Sequence, residues 1–303
     1  MIISFGELLV DMIKIGDGFH PFPGGAPANF AVGCSRLGKK VYLIATVGND
    51  YFGKMLLQKM VEEKVDISCV RIENFARTTL AFVTLVGGKP SFFFYRGADK
   101  FILEDQIQEE LFKKNKIFHF GSLSLTDVPV RETLFYALEL AKKNSLEVSF
   151  DPNFREDLWK STFNNYLLDA LEYVHILLPS VSELEYIGEI LGLKTKDLNE
   201  LLDEICSAFR LKLIAVTRGE KGSLLFKGNL IEQPAFKVKV VDTTGAGDAF
   251  AAGLIVGKLM GFKEDELLRF ANACAAISIT KYGAMSALPT IDEVRNFLLS
   301  NKV

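Results

Sequence analysis

Short apolar runs of strand length alternate with amphipathic stretches of helical period along this chain. That alternation restricts the fold more than any other feature of the sequence. Residues 2–5, 41–46, 116–120, 147–150, 175–178 and 212–216 read as strands. Helical patterns fall at 26–37, closed by Gly38, and at 52–63, 131–143, 163–171 and 197–209. Strands joined through helices pair in parallel, and a parallel sheet needs helices on both of its faces. The expected fold is therefore α/β with a mostly parallel central sheet. A chain of 303 residues suits one such domain. It buries roughly 75% of the surface its unfolded form exposes, so it needs no disulfide or metal to stay folded.

Two stretches break the alternation. Residues 78–86, the turn Gly87-Gly88-Lys89-Pro90 and residues 91–96 read as a β-hairpin. Residues 8–15 and the Gly/Pro-rich 16–25 read as a strand followed by a loop. Neither has a helix to cover it. They form either a small sheet projecting from the core, which is the reading adopted, or an antiparallel edge of the main sheet.

Charge and cysteine usage exclude several functions. The net charge is −3 with no basic block, which argues against nucleic acid as a partner. Cys34, Cys69, Cys206 and Cys274 are scattered without metal-ligand spacing, as expected of a reduced cytoplasmic protein. The N-terminus MIISFGELLVD lacks a basic leader and reads as a strand, and apolar runs such as 249–257 stop short of the ~18 residues of a membrane span. His20, His119 and His175 do not cluster, so a histidine-based metal or acyl-transfer site has little support.

Chemistry concentrates in Asp242-Thr243-Thr244-Gly245-Ala246-Gly247-Asp248. A strand-like run at 236–241 leads into it, and an apolar helical run, 249–260, follows. A strand, a glycine turn and a helix start gather backbone N–H groups into an anion site. Asp248 is then either a helix cap or a base acting on whatever attacks a bound phosphate. No Gly-Lys-Ser/Thr follows, so this is not a Walker A loop. Gly24-Gly25-Ala26-Pro27-Ala28-Asn29 reads as a ligand-approach loop or as a plain helix start, with Asn29 offering donor and acceptor. Asp11 at a strand end is a sugar-hydroxyl acceptor or a solvated turn residue. Asp151-Pro152-Asn153-Phe154-Arg155 follows a strand end, where open α/β sheets bind ligands, or forms a capped turn. Arg96 either lies over a ligand or snorkels at an edge. Thr217-Arg218-Gly219-Glu220-Lys221-Gly222 resembles a nucleotide-side loop, a weak signal in itself.

In this order the segments resemble the ribokinase-like (PfkB) carbohydrate kinases over nearly the whole chain. The resemblance rests on Gly24-Gly25-Ala26-Pro27-Ala28-Asn29, Val47-Gly48-Asn49-Asp50-Tyr51-Phe52-Gly53 and Asp242-Thr243-Thr244-Gly245-Ala246-Gly247-Asp248-Ala249-Phe250. Phe150-Asp151-Pro152-Asn153-Phe154-Arg155 and Gly283-Ala284-Met285-Ser286-Ala287-Leu288-Pro289 look most like fructokinases. 2-Keto-3-deoxygluconate kinases share the Asp-x-Asn-x-Arg segment.

The resemblance implies a ribokinase-like three-layer α/β/α sandwich forming a single kinase domain over 1–303. Its β-sheet lid would lie at about 8–24 and 77–100 and serve in many relatives as a homodimer interface. It implies Asp248 as the catalytic base and Gly245, Ala246 and Gly247 as the anion hole. Asp11, Gly24, Gly25, Asn29, Arg96 and Arg155 would bind the sugar. Asn153, Glu183, Thr217, Gly219, Gly222 and Asn272 would border ATP. Mg²⁺ would arrive with ATP, aided by a water on Glu183, and K⁺ is implied beside Asp242, Thr244 and Gly283. Two positions depart from the family pattern: Ser180 replaces the Asn of Asn-x-x-Glu, and Ala287 stands where some members carry serine. The expected activity is ATP-dependent phosphorylation of the fructose 6-hydroxyl. The alternatives are 2-keto-3-deoxygluconate kinase, with Arg96 and Arg155 on the substrate carboxylate, and a non-catalytic sugar-sensing module. A Rossmann dehydrogenase is disfavoured, because the first glycine loop is not Gly-x-Gly-x-x-Gly.

Overall fold

The strand-and-helix alternation produces the layers it predicts. The computed structural model describes residues 1–86, 89–195 and 197–301, and Gly87 and Gly88 of the expected hairpin turn lie outside these. Among the described residues one sheet has nine strands. Their order across the sheet is Leu230–Gln233, Ser223–Phe226, Leu213–Thr217, Ile176–Leu177, Glu147–Asp151, Ile117–Gly121, Ile2–Phe5, Val41–Gly48 and Asp66–Glu73. All neighbours pair in parallel except the last two strands in sequence, which add antiparallel at one edge.

Successive side chains of a strand point to opposite faces, so each strand feeds two cores. Ile2, Leu43, Ile117 and Leu213 pack with helices Ala26–Arg36, Ala246–Met260 and Glu264–Ser278. Ile3, Ile44, Phe118 and Ile214 pack with Val130–Lys143, Phe163–Leu171, Val181–Ile190 and Leu198–Phe209. The result is a three-layer α/β/α sandwich.

Strand order reverses beside Ile2–Phe5. The chain first moves outward to Val41–Gly48 and Asp66–Glu73, then resumes on the other side at Ile117–Gly121. The helix following Ile2–Phe5 and the one following Ile117–Gly121 therefore lie on opposite faces. A crevice opens at the carboxyl ends of strands where this happens.

A second sheet has the order Gly18–Gly24, Leu9–Ile15, Leu80–Val86, Lys89–Tyr95. It is separate from the main sheet, as the sequence predicts. Asp11, Ala81 and Phe94 share one face, while Met12, Phe82 and Phe93 share the other. The expectation of a loop at 16–25 is corrected: Gly18–Gly24 is a strand paired antiparallel to Leu9–Ile15. Its prolines sit on an edge, where a missing N–H does not interrupt the sheet. The strand expected at 236–241 is also corrected. Residues 234–240 adopt no strand, and Val241 N–H donates instead to the carbonyl of Ile279 (2.8 Å), just past helix Glu264–Ser278. Strands Asp66–Glu73, Ser223–Phe226 and Leu230–Gln233 were not anticipated from the sequence.

Candidate active site

Close helix packing brings the two glycine segments together. Helix Ala26–Arg36 begins at Gly25 and helix Ala246–Met260 at Gly245. The helices approach so closely that a Cβ on Gly33 would lie 2.7 Å from Cβ of Ala252. Asn29 and Asp248 stand one turn nearer the helix starts, and there Asn29 Nδ2 donates to Asp248 Oδ2 at 2.8 Å. Gly25 and Gly245 hold positive φ angles of 103° and 77°, open to glycine at little cost. Gly25 lies against the Glu7 carbonyl and Gly245 against Ala284, so neither has room for a Cβ.

A cleft of about 370 Å³ opens over these helix starts. Of the residues predicted from sequence, it is lined by Asp11, Gly25, Asn29, Asn153, Arg155, Glu183, Thr217, Thr244, Gly245, Ala246, Gly247 and Asp248. The backbone N–H groups of the first turn of helix Ala246–Met260 have no partner within the helix. They and the positive end of the helix dipole make this turn attractive to an anion.

The cleft gathers buried carboxylates. Burial pushes the Asp248 carboxyl up to about 6, with the Asn29 hydrogen bond and the Arg155 charge opposing the rise. Burial also lifts Asp11 to about 7; the Asp248 charge adds to the rise and Arg155 counters it. Asp151 is raised by burial and by the charges of Glu183 and Asp248. Arg155 thus acts on three carboxyls at once, which places its charge at the centre of the site.

Several predicted residues stand elsewhere. Gly24 lies outside the lining; it has no side chain to displace the Asp11 carboxylate packed against its Cα. Gly219 and Gly222 follow Thr217 without lining the cleft, and Gly222 packs on the backbone of residues 233–235. Two further assigned residues also lie outside the lining. Arg96 does not line the cleft. Its guanidinium lies 2.6 Å from the buried Asp99 and donates to Thr126 Oγ1 at 2.9 Å, so its charge is spent within the core. Asn272 also lies outside the cleft; it accepts from Ser223 Oγ (2.7 Å) and donates to the carbonyls of Gln233 and Pro234.

The acidic residues proposed near metals are strongly engaged. Glu183 Oε1 accepts from Phe154 N–H at 2.9 Å, and Oε2 accepts from the N–H and Oγ of Ser180, both at 2.7 Å. That uses three of about four lone-pair positions and leaves room for a water. Asp242 accepts from Thr244 N–H and Oγ1 and from Gly283 N–H (3.0, 2.7 and 2.9 Å), tying the anion loop to residue 283. Asp242, Thr244 and Gly283 therefore meet. Among the described residues no group of three or more His, Cys, Asp or Glu has a metal-holding arrangement.

Sequence reading missed Glu7, Phe94, Ser122, Leu123, Phe250 and Ala284 in the lining. Glu7 and Ser122 follow the carboxyl ends of Ile2–Phe5 and Ile117–Gly121, the two strands at the reversal of strand order, and that position was the available signal. His119 is neutral and structural: burial pushes it down to about 3, and its ring stacks on Phe30 at 3.6 Å.

Comparison with known proteins gives a consistent picture. The model of the pfkB family of carbohydrate kinases matches residues 1–291. The chain is 38% identical to a probable fructokinase-7 of Arabidopsis thaliana, over 100% of this chain and 93% of that one. Among solved structures, a fructokinase from Xylella fastidiosa with bound ATP superposes with a TM-score of 0.92 at 31% identity, covering 100% of this chain and 99% of that one. A fructokinase double mutant from Vibrio cholerae in a form with bound fructose, ADP and potassium ion superposes at 0.87 with 29% identity, covering 98% and 97%.

Proposed function

The chain belongs to the pfkB family of carbohydrate kinases, and from that premise we propose that it transfers the γ-phosphoryl group of ATP to the 6-hydroxyl of fructose. The observation that carries the reading is Asp248: a buried carboxyl raised to about 6, on the first turn of a glycine-started helix, in one cleft with Asp11, Asn29 and Arg155. A base with a pKa just below neutral is ionised at pH 7 and still basic enough to accept a proton in the transition state.

Asp248 takes the proton of the 6-hydroxyl as its oxygen attacks the γ-phosphorus in line and ADP departs. The N–H groups at Gly245–Gly247 hold charge that develops on the transferred phosphoryl oxygens. Asn29 orients Asp248, while Asp11 and Gly25 face the sugar. Arg155 opposes the upward shifts of Asp11, Asp151 and Asp248 and offers positive charge to either substrate. Thr217 and Asn153 border the nucleotide end. Bound with ATP, Mg²⁺ would neutralise phosphate charge, and Glu183 retains capacity for one of its waters. A potassium ion, which the Vibrio relative binds, would sit beside Asp242, Thr244 and Gly283. The burial of Arg96 removes one of the two cations that would recognise an acid sugar, which favours fructose over 2-keto-3-deoxygluconate.

Residues 8–24 and 77–100 act in this reading as a lid on a single kinase domain. The lid's outer face carries Phe19, Phe82, Phe93 and Tyr95, whose rings touch in sequence at 5.0–5.7 Å. Three of the four are exposed, a composition suited to a homodimer contact, which sedimentation would reveal. The four cysteines are free, which fits a cytoplasmic location.

The decisive experiment is Asp248→Asn assayed with ATP and fructose. The variant keeps its fold and fructose affinity and loses about two to four orders of magnitude in kcat. Near-normal turnover in that variant would remove the base from the mechanism. Failure of the wild-type protein to phosphorylate any sugar would favour a sensing role.

A further inference from the structure

Glu7 stands two residues past strand Ile2–Phe5, and Ser122 one residue past Ile117–Gly121. Phe5 pairs with Phe120, so Glu7 and Ser122 hold equivalent positions beyond the carboxyl ends of adjacent strands, where strand order reverses. Both line the cleft, with only 7% and 2% of their surface exposed. Glu7 Oε1 is already committed. It accepts the Ala26 N–H at 3.0 Å and so caps helix Ala26–Arg36, whose N-cap residue Gly25 has no side chain to do this. Glu7 Oε2 and Ser122 Oγ are buried and have no hydrogen-bond partner among the described residues. Asn29 Oδ1, also in the cleft wall, is in the same condition.

A buried carboxylate oxygen without a donor is costly, and such an oxygen on a residue that lines a cleft is suited to a ligand that supplies O–H. A phosphate would be repelled by Glu7, whereas a polyol carries the required donors. Burial lifts the Glu7 carboxyl to about 7, which a donor held against Oε2 would counteract.

We propose that Glu7 Oε2 accepts a hydrogen bond from a hydroxyl of the sugar, with Ser122 Oγ completing this subsite at the strand reversal. The proposal rests on the sugar-kinase reading. One carboxyl group would then both hold the helix that carries Asn29 and select the substrate.

The test compares wild type, Glu7→Gln and Ser122→Ala with fructose and a set of monodeoxyfructoses. Glutamine still offers an oxygen to Ala26, so the melting temperature and the KM for ATP are expected to stay unchanged. The KM for fructose is expected to rise roughly tenfold in Glu7→Gln, the scale of one lost charge-assisted hydrogen bond, and severalfold in Ser122→Ala. One deoxy analogue should be discriminated strongly by wild type and much less by Glu7→Gln. The proposal is overturned if neither variant changes the KM for fructose, or if wild type and Glu7→Gln discriminate every analogue alike. Should wild type phosphorylate a sugar other than fructose, the fructose reading fails, and the same comparison with that sugar's deoxy analogues still decides the role of Glu7.

Discussion

Asn29 and Asp248, 219 residues apart in sequence, share a 2.8 Å hydrogen bond because their helices touch one turn further on, at Gly33 and Ala252. The amide donates to the carboxylate and so favours its charged form, opposing the effect of burial.

Removing that donor tests the balance. Asn29→Ala leaves Asp248 buried without the bond, so its pKa moves above the present value of about 6. The base is active only when ionised, and activity is lost as pH falls through that pKa. The acid limb of the kcat profile is therefore expected to move up by roughly one pH unit, the scale of a hydrogen bond to a charged group. A pH–rate series on both proteins measures it, and an unmoved acid limb would show that Asn29 does not tune the base.

The Gly33 contact makes a separate prediction. Gly33→Val places a branched side chain where even a single Cβ would lie 2.7 Å from Ala252. The helices must separate, at a cost of about 1–3 kcal/mol. Because this shift reaches the Asn29–Asp248 pair, kcat should fall along with stability. A surface substitution of equal destabilisation, such as one in helix Ile291–Ser300, should leave kcat intact. Denaturant unfolding paired with steady-state kinetics separates the two outcomes.

These contacts show how far sequence reading reaches. The parallel sheet was legible because both of its faces are buried and its strands are continuous apolar runs such as Val41–Gly48. Asp66–Glu73 was not, because polar residues interrupt this edge strand. Asp248 and Asn29 were legible as polar residues in helix starts that follow glycines, Gly245 and Gly25 among them. Glu7 was not, because nothing local marks it; its meaning comes from Ile117–Gly121 lying beside Ile2–Phe5, a pairing between segments more than 100 residues apart. Arg96 is the opposite case: Arg after an aromatic run reads from sequence as a ligand contact, and the fold sets Asp99 against it.

That burial gives Arg96 a different expected phenotype. Its side chain is 7% exposed and that of Asp99 is 0% exposed, and Asp99 also accepts from Thr79 Oγ1. Arg96→Ala leaves a buried carboxylate without its cation, which costs about 3–5 kcal/mol. The double variant Arg96→Met/Asp99→Asn removes both charges and should recover most of the loss. Urea unfolding of the three proteins reads the effect. If Arg96→Ala retained full stability and lost only sugar affinity, Arg96 would be a ligand contact after all.

Asp11 links the site to the pH dependence of stability. Its carboxyl is ordinary in the unfolded chain, near 3.8, and rises to about 7 when folded. A group shifted upward stabilises the fold fully below its unfolded pKa and loses that contribution as pH rises through the folded value. Between pH 4 and 7 the fold therefore loses stability, because Asp11 ionises freely in the unfolded chain while burial and Asp248 keep it protonated in the folded one. Asp11→Asn cannot ionise and escapes this part of the loss. Relative to wild type, the variant should gain stability from pH 4 to about pH 7 and level off above it, while its KM for the sugar rises because the charged acceptor is gone. Unfolding free energies across that range measure the gain, and a difference between the two proteins that stays flat with pH would mean that Asp11 is ionised in the folded protein throughout.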